Sequence, residues 1–158
     1  MLIIIDSREQ DCKNGRLDFT GIEGVDKVEV MGLAYGDYTA LVHDKPCPIL
    51  FERKSFGDLW TTMASENYLR FKKELARAKA ANVKLILIIE GTYTDVFNGN
   101  EYSKFDGESM LKKLATLYVK YDLEYIFCES RRVMARRIVD TFLACERNYF
   151  VDTKVIST

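Results

Sequence analysis

The sequence contains few of the residues that form disulfide frameworks, metal-binding fingers or interdomain linkers. Its 158 residues include four cysteines, two prolines and a single histidine. The cysteines are far apart and form no CxxC pair, so neither a zinc site nor a dithiol redox motif is supported. No internal repeat, low-complexity stretch or Pro/Gly/Ser-rich linker interrupts the chain. We therefore expect one globular domain whose cysteines are reduced.

Long hydrophobic runs are also missing. The apolar run at residues 1–5 meets Asp6, well short of the roughly 7 to 15 apolar residues of a secretion signal or the about 20 of a membrane span. The apolar fraction of 47% is nevertheless sufficient for a packed core. The sequence therefore predicts a cytoplasmic protein with no membrane partner.

No charge of one sign dominates the chain, whose formal net charge is −1 at pH 7. The charges are unevenly distributed, because residues 1–60 carry 7 basic and 11 acidic side chains whereas residues 61–158 carry 16 and 13. Acidic residues are thus concentrated in the part of the chain that also contains a group of candidate site residues.

Interleaved strand and helix patterns predict an α/β domain with a central mixed β-sheet flanked by helices. Residues 2–5 are continuously apolar, and the stretch at 83–91 contains the apolar run 85–89, as in strands covered on both faces; we expect the second strand at the centre of the sheet. The other predicted strands cover residues 27–31, 38–42, 48–52 and 124–128. Helices are predicted directly after Lys54 and at about 66–81, 109–121 and 130–147. No regular structure is predicted for residues 92–108.

Three charged residues stand at the end of the predicted strand at 48–52. Because alternate residues of a strand share a face, Glu52 and Lys54 are predicted to point one way and Arg53 the other. The turn that leads into the preceding strand carries Asp37, which we expect beside Glu52. Two carboxylates provide hard oxygen ligands suited to Mg²⁺ or Mn²⁺. With a lysine beside them, they indicate hydrolysis of a phosphodiester bond.

These residues belong to a longer pattern, which reads GDY at 36–38, ERK at 52–54 and then Asp58. The pattern resembles the GD…ERKxxxD motif of the XPF-type structure-specific nuclease family. DSRE at 6–9 and LILIIEG at 85–91 extend the resemblance over nearly the whole chain. The resemblance implies a restriction-endonuclease-like fold of the PD-(D/E)xK class.

The resemblance also implies how the chain is organised and what it does. It implies a single nuclease domain at residues 1–150 and a tail at 151–158, with no helix-hairpin-helix or helicase domain. The implied activity is divalent-metal-dependent cleavage of DNA at or near branched structures such as flaps, forks and nicked junctions. A bacterial or phage protein would act in the cytoplasm of its host, and a fragment of a eukaryotic protein in the nucleus. DNA repair, recombination and phage DNA processing all fit this activity.

The family motif implies a role for each residue of the predicted site. Asp37 and Glu52 resemble the ligands of a Mg²⁺ or Mn²⁺ ion. Lys54 resembles the residue that positions the attacking water, and Arg53 resembles a support for the site. Three further residues resemble accessory acids: Asp6, Glu9 and Asp58.

The accessory acids also have simpler interpretations. Asp58 lies three residues after Ser55, where an acidic residue is typical of a capped helix start. Asp6 and Glu9 are placed to pair with Arg8 or Arg53.

Six basic residues follow between positions 68 and 84, with Glu74 as the only acid: Arg70, Lys72, Lys73, Arg77, Lys79 and Lys84. Beside a site for a polyanion, this cluster is predicted to bind DNA phosphates through Arg70, Lys72, Lys73 and Arg77. The alternative is a solvated helix face. Arg70 resembles an arginine of the family, whereas Glu74 stands where a glutamine is commoner.

The last predicted helix carries four arginines, at positions 131, 132, 136 and 137, beside a wide apolar stripe. We expect the stripe to pack on the sheet, and the resemblance implies that this region also contributes to dimerisation. The expected assembly is a homodimer, or a complex with a partner that supplies a DNA-binding domain.

Two other functions fit the same fold. One is a catalytically silent DNA-binding or dimer-partner module, although such modules typically lose the GD or ERK acids that are present here. The other is a sequence-specific restriction-type nuclease, which would require a target-recognition element, and no such insertion is obvious.

Four aromatic residues in the stretch without predicted structure are candidates for contact with DNA: Tyr93, Phe97, Tyr102 and Phe105. Their rings could stack on unpaired bases. Packing against the domain is the alternative for each of them.

Overall fold

The predicted strands pair into one mixed seven-stranded sheet in a computed structural model that describes residues 1–150. The strands are β1 Leu2–Asp6, β2 Lys27–Met31, β3 Tyr38–Val42, β4 Lys45–Pro46, β5 Ile49–Lys54, β6 Lys84–Glu90 and β7 Glu124–Cys128. The helices are α1 Phe56–Thr62, α2 Ser65–Ala80, α3 Tyr93–Asn98, α4 Gly107–Tyr121 and α5 Arg131–Cys145. The α/β fold class is therefore confirmed, and the tail at 151–158 lies outside the described residues.

The sheet combines parallel and antiparallel pairs in the order β2-β1-β3-β5-β6-β7, with β4 paired to β3. β1 is parallel to β2 and antiparallel to β3, which in turn is antiparallel to β5. β5, β6 and β7 are parallel to one another. The sequence predicted β6 at the centre of the sheet, and this is wrong, because β6 lies one strand from the edge.

β6 is nevertheless apolar at all of its five inner positions because helices cover both of its faces. Ile86 and Ile88 join a core that includes Phe142 of α5. Leu87 and Ile89 point the other way, into a core built from residues of α1, α2 and α4. Burial on both faces, rather than a central position in the sheet, explains the continuous apolar run.

The helix starts follow local capping signals, one of which the sequence interpretation missed. The Ser55 hydroxyl accepts a hydrogen bond from the Asp58 N–H at 3.1 Å, so α1 begins where it was predicted. The prediction that residues 92–108 form no regular structure is wrong, because α3 lies within this stretch. Thr92 and Asp95 form a reciprocal capping box at the start of α3, with N···O distances of 2.8 and 3.0 Å. The Thr-x-x-Asp spacing was the available signal.

The apolar face of α5 packs on the sheet through residues such as Met134, Ile138 and Phe142, all fully buried. The helix ends at Cys145, two residues earlier than predicted, and a π-helical turn follows at Glu146–Phe150. Within the described part of the chain, no helix is both long and apolar enough to span a bilayer.

Gly36 fixes the direction of the chain as it enters β3. Its φ angle is +68°, in the left-handed region that glycine adopts without strain. A Cβ at this position would also lie 3.0 Å from the carbonyl oxygen of Phe51 and 3.1 Å from Cδ1 of Leu85. The glycine of the GDY sequence is therefore required both by backbone conformation and by space.

Gly36→Ala is expected to lower the free energy of unfolding by about 1–3 kcal/mol, because a side chain is strained at that φ and meets the Phe51 carbonyl. The matched control is Gly57→Ala in α1, where no atom lies within 4 Å of an added Cβ. The control should be neutral or should stabilise by up to about 1 kcal/mol. Urea denaturation measures both variants, and equal stabilities would contradict the role assigned to Gly36.

Candidate active site

The backbone of Asp37 is held between the ends of two strands. Its N–H donates to the Phe51 carbonyl at 2.7 Å, and its own carbonyl accepts from the Asp6 N–H at 2.8 Å. The side chain therefore leaves the sheet at a fixed point beside the end of β5, and it lines the same pocket as Glu52. The structure thus brings together the two carboxylates that the sequence paired, and their role as metal ligands stays a prediction.

The Asp37 carboxylate is in an unfavourable environment for its negative charge. Burial, followed by repulsion from Glu52, raises its pKa to about 7, although a hydrogen bond from the Arg53 N–H to Oδ2 at 2.8 Å opposes the rise. Within residues 1–150 no hydrogen bond reaches Oδ1. A buried carboxylate whose pKa is raised beside a second carboxylate is typical of a site that binds a cation or a shared proton.

Lys54 lies on the same face of β5 as Glu52, as strand alternation predicted. Its Nζ donates to Oε1 of Glu52 at 2.8 Å, and both side chains are less than one-fifth exposed. Burial lowers the pKa of Lys54, but the charges of Glu52 and Asp37 outweigh burial and leave a net increase. The lysine is therefore an ammonium at neutral pH and can donate hydrogen bonds to a water or a phosphate.

Arg53 points to the opposite face and belongs to a buried hydrogen-bonded network. Its Nε donates to Oε2 of Glu9 at 2.9 Å, and the same oxygen accepts from the Tyr38 hydroxyl at 2.7 Å. The Tyr38 hydroxyl in turn accepts from the Leu17 N–H at 3.0 Å. Only 6% of the Arg53 side chain is exposed. The pairing of Glu9 with Arg53 fits the simpler interpretation of Glu9 and joins β5 to the turn after β1.

Asp6 also has structural partners. Its side chain is 1% exposed and accepts from the Leu33 N–H at 2.8 Å and from Nε of Arg8 at 2.5 Å. Burial raises the pKa of Asp6, but these hydrogen bonds outweigh it and leave the pKa below its ordinary value. Asp6 therefore remains ionised and orients Arg8.

Arg8 is a site residue that the sequence interpretation did not select. Its side chain is 70% exposed and lies close enough to Asp37 and Glu52 for their charges to raise its pKa, after the larger effects of Asp6 and burial. Arg8 lines the pocket of the two carboxylates and also a neighbouring groove. Its position within DSRE, two residues from a buried acid, was the signal available in the sequence.

Asp58 lies in that neighbouring groove, which has a volume of about 680 Å³. Arg53, Glu90 and Arg131 also line the groove. Asp58 is in the first turn of α1, where its charge favours the helix dipole, and it contributes to the raised pKa of Lys54. Asp58 is thus near the carboxylate pair but faces a different cavity.

The four predicted DNA-binding residues on α2 differ in their surroundings. Arg77 lines the pocket of Asp37 and Glu52, and Lys73 is exposed. Arg70 donates to the Asn67 side chain, and Nζ of Lys72 lies 4.5 Å from the centre of the Tyr68 ring.

The other two basic residues of the cluster are paired with acids elsewhere. Nζ of Lys79 lies 3.3 Å from Oδ2 of Asp122, and Nζ of Lys84 lies 2.8 Å from Oε1 of Glu124. The basic surface next to the carboxylates is therefore smaller than the sequence suggested.

A divalent cation fits the donor set of this pocket. Asp37 and Glu52 offer hard carboxylate oxygens, which Mg²⁺ and Mn²⁺ prefer, and such ions complete their coordination with water and substrate oxygens. Residues 1–150 contain no group of three or more His, Cys, Asp or Glu side chains that could hold a metal ion. The two carboxylates therefore provide a partial ligand set rather than a closed structural site.

Comparison with known proteins gives matches to one domain family and to solved structures of the same fold. The family model of the ERCC4 domain matches residues 5–140. Comparison with curated proteins gives no match. Among solved structures, XPF from Aeropyrum pernix matches at a TM-score of 0.71 and 18% identity, over 94% of this chain and 66% of that one. Another structure of XPF from Aeropyrum pernix, in complex with DNA, matches at a TM-score of 0.65 and 17% identity, over 96% of this chain and 68% of that one.

The chain spans about two thirds of the length of the archaeal chains that it matches. At these identities the structural likeness establishes the fold, which is that of the XPF nuclease domain. The family model covers most of the chain and includes the whole GD…ERKxxxD pattern. This chain therefore belongs to the ERCC4 domain family, and its fold is that of the XPF nuclease domain.

Proposed function

We propose that this protein is a divalent-metal-dependent DNA endonuclease that cuts at or near branched structures such as flaps, forks and nicked junctions. The observation that carries the proposal is the grouping of the Asp37 and Glu52 carboxylates with the Lys54 ammonium at the end of β5. Membership of a DNA nuclease family supports the reaction, and the related XPF solved with DNA supports the substrate.

In the proposed reaction a water attacks the phosphorus of a phosphodiester, and the bond from phosphorus to the 3′ oxygen breaks. The water loses its proton to solvent, and the products are a 5′-phosphate and a 3′-hydroxyl, whose oxygen takes a proton from solvent. Asp37 and Glu52 would hold a Mg²⁺ or Mn²⁺ ion, which would supply Lewis acidity and neutralise charge on the phosphate. Lys54 is charged and donates hydrogen bonds, so it holds and orients the water rather than removing its proton.

Arginines around the pocket bind the DNA backbone in this proposal. Arg8 presents an exposed guanidinium beside the carboxylates, held in place by its bond to Asp6. Arg77 approaches the same pocket from α2. Lys73 and Lys72 extend the basic surface along that helix, and Arg53 and Glu9 hold the strand end in position from behind.

The assembly follows the family resemblance, and we propose a homodimer. The buried residues of α5 already pack on the sheet, so a second copy would use other surfaces. Light scattering at assay concentrations should give twice the mass of one chain. A mass of one chain would overturn the homodimer and leave a separate DNA-binding partner as the proposed assembly.

The activity is tested with labelled flap, fork, nicked, single-stranded and duplex DNA in Mg²⁺ or Mn²⁺. Wild type should cut a branched substrate preferentially. Asp37→Ala and Lys54→Ala should each reduce the rate by at least about 100-fold, since the first removes a proposed metal ligand and the second removes the group that orients the attacking water.

The control is Lys45→Ala, which removes an exposed lysine of β4 that does not line the pocket. It should cut at the wild-type rate. If wild type binds branched DNA but never cuts it, the protein is a DNA-binding module of the same fold. Equal loss of activity in Lys45→Ala would show that the variants act through folding.

Metal binding should also appear as a change in stability, independent of activity. The folded-state pKa of Asp37, about 7, lies above its ordinary value of 3.8. Without metal, the folded state therefore favours the protonated acid, and stability should fall as the pH rises from about 4 to about 7. Above that range, Mg²⁺ should raise the melting temperature because it binds the two ionised carboxylates.

Asp37→Asn removes the repulsion and should melt roughly 2–8 °C above wild type in chelator, at a pH above the pKa of Asp37. The variant should gain little from Mg²⁺. Asp140→Asn, an exposed change on α5, is the control and should behave as wild type. A wild-type melting temperature that neither Mg²⁺ nor Mn²⁺ alters would contradict the metal site.

A further inference from the structure

Helix α1 and the loop between α3 and α4 enclose a cleft of about 510 Å³ that does not include the two carboxylates. This volume is within the range of small-molecule sites, roughly 300–1,000 Å³. Its walls include Gly57, Trp60, Tyr102, Lys104, Phe105 and Lys113. Neither the metal chemistry nor the basic surface of α2 accounts for this concentration of aromatic rings.

Tyr102 stands at the rim of the cleft with its ring almost entirely in solvent. It is 88% exposed, more than any other large hydrophobic side chain among the described residues. The loop around it is nevertheless ordered by hydrogen bonds. The Tyr102 N–H donates to Oδ1 of Asn100 at 3.1 Å, and the Ser103 N–H donates to the Asn100 carbonyl at 2.9 Å. The hydrogen-bonded turn thus holds the backbone that presents the exposed ring to a ligand.

Phe105 lines the cleft, and its ring already packs against other side chains of the domain. Its ring lies 5.2 Å from the Trp60 ring, centre to centre, and Nζ of Lys113 lies 4.0 Å from its centre. Lys113 is anchored in turn by a hydrogen bond to the Met63 carbonyl at 2.6 Å. The packing interpretation therefore applies to Phe105, and the stacking interpretation applies to Tyr102.

The cleft also adjoins a hydrogen-bond donor with no acceptor. Nε1 of Trp60 is buried, and no acceptor within residues 1–150 contacts it. Buried donors without acceptors are rare in folded proteins and often mark a missing ligand or water.

The charge of the cleft fits an anionic ligand. Lys104 and Lys113 line it, and no acidic residue does. Lys104 is exposed and forms no ion pair in the described part of the chain. Aromatic surfaces combined with free positive charge are typical of sites that bind single-stranded nucleic acid, where bases stack and lysines contact phosphates.

We infer that this cleft binds an unpaired nucleotide of the DNA substrate, with its base stacked on Tyr102 and its phosphate near Lys104. The inference rests on the proposed function for the choice of ligand. Gly57 links the two regions, because it lines both this cleft and the groove that contains Arg53 and Asp58. Arg8 lines both that groove and the pocket of Asp37 and Glu52, so a strand that leaves the pocket can follow the groove across α1 and place an unpaired base in the cleft.

The other two aromatic candidates do not belong to this cleft. Tyr93 packs edge-on against Phe127 with 6.1 Å between ring centres, and Phe97 lines a separate depression beside the loop. Tyr102 is thus the residue on which stacking depends.

The test compares two probes in chelator, where no cleavage is needed: a short thymidine oligonucleotide and an abasic oligonucleotide of the same length and charge. Trp60 is the single tryptophan of the chain, so its fluorescence reports on the floor of the cleft. Wild type should bind the thymidine probe at least about 5-fold more tightly than the abasic probe, with a change in Trp60 emission. Tyr102→Ala should bind the two probes with similar affinity.

Tyr118→Ala is the matched control, because Tyr118 is an exposed tyrosine on α4 that does not line the cleft. It should keep the wild-type preference. Lys104→Ala should weaken both probes equally and reduce the slope of log affinity against log salt by about 0.7, the effect of losing one phosphate contact on a single strand.

Equal binding of the two probes by wild type, or binding without a change in Trp60 emission, would overturn the inference. So would an equal effect of Tyr118→Ala. These outcomes are independent of cleavage. A protein that cuts DNA but binds the two probes equally would contradict only the inference about the cleft. A protein that prefers the thymidine probe but does not cut DNA would support the cleft and contradict the proposed nuclease activity.

Discussion

The site depends on one backbone hydrogen bond, from the Asp37 N–H to the Phe51 carbonyl at 2.7 Å. It joins the start of β3 to β5, next to Tyr38 and Phe51, the residues that pair directly between the two strands. Because both of these side chains are fully buried, the junction is held by the core as well as by the hydrogen bond. The carboxylates of Asp37 and Glu52 are close because the adjacent residues, Tyr38 and Phe51, pair directly between the two strands.

The three consecutive charges at the end of β5 are compatible with burial because each has a partner. Glu52 and Lys54 pair on one face, while Arg53 pairs with Glu9 on the other. Asp37 forms no ion pair within residues 1–150, and burial and repulsion from Glu52 raise its pKa. The strand end is therefore electrostatically balanced except at the position where a divalent cation fits.

Most of the fold could be predicted because its signals are local. Apolar runs located the strands, Ser55 located the start of α1, and strand alternation placed Glu52 and Lys54 together. The position of β6 in the sheet could not be predicted, because an apolar run reports burial on both faces and not distance from an edge. The partners of Lys79 and Lys84 come from residues about 40 positions later, so no local pattern reveals that they are neutralised. The importance of Arg8 likewise depends on contacts between distant parts of the chain.

Helix α1 connects the two parts of the surface that are assigned to DNA. It starts directly after Lys54 and Ser55, and Trp60 lies five residues beyond Ser55. At about 1.5 Å per residue, the cleft lies on the order of 8 Å along the helix from the strand end that carries Glu52 and Lys54. A nucleic-acid strand advances about 3.4 Å per nucleotide when stacked, so the two regions are separated by about two or three nucleotides. If the cleft holds the first unpaired base, the geometry of α1 fixes how far from a branch the phosphodiester is cut.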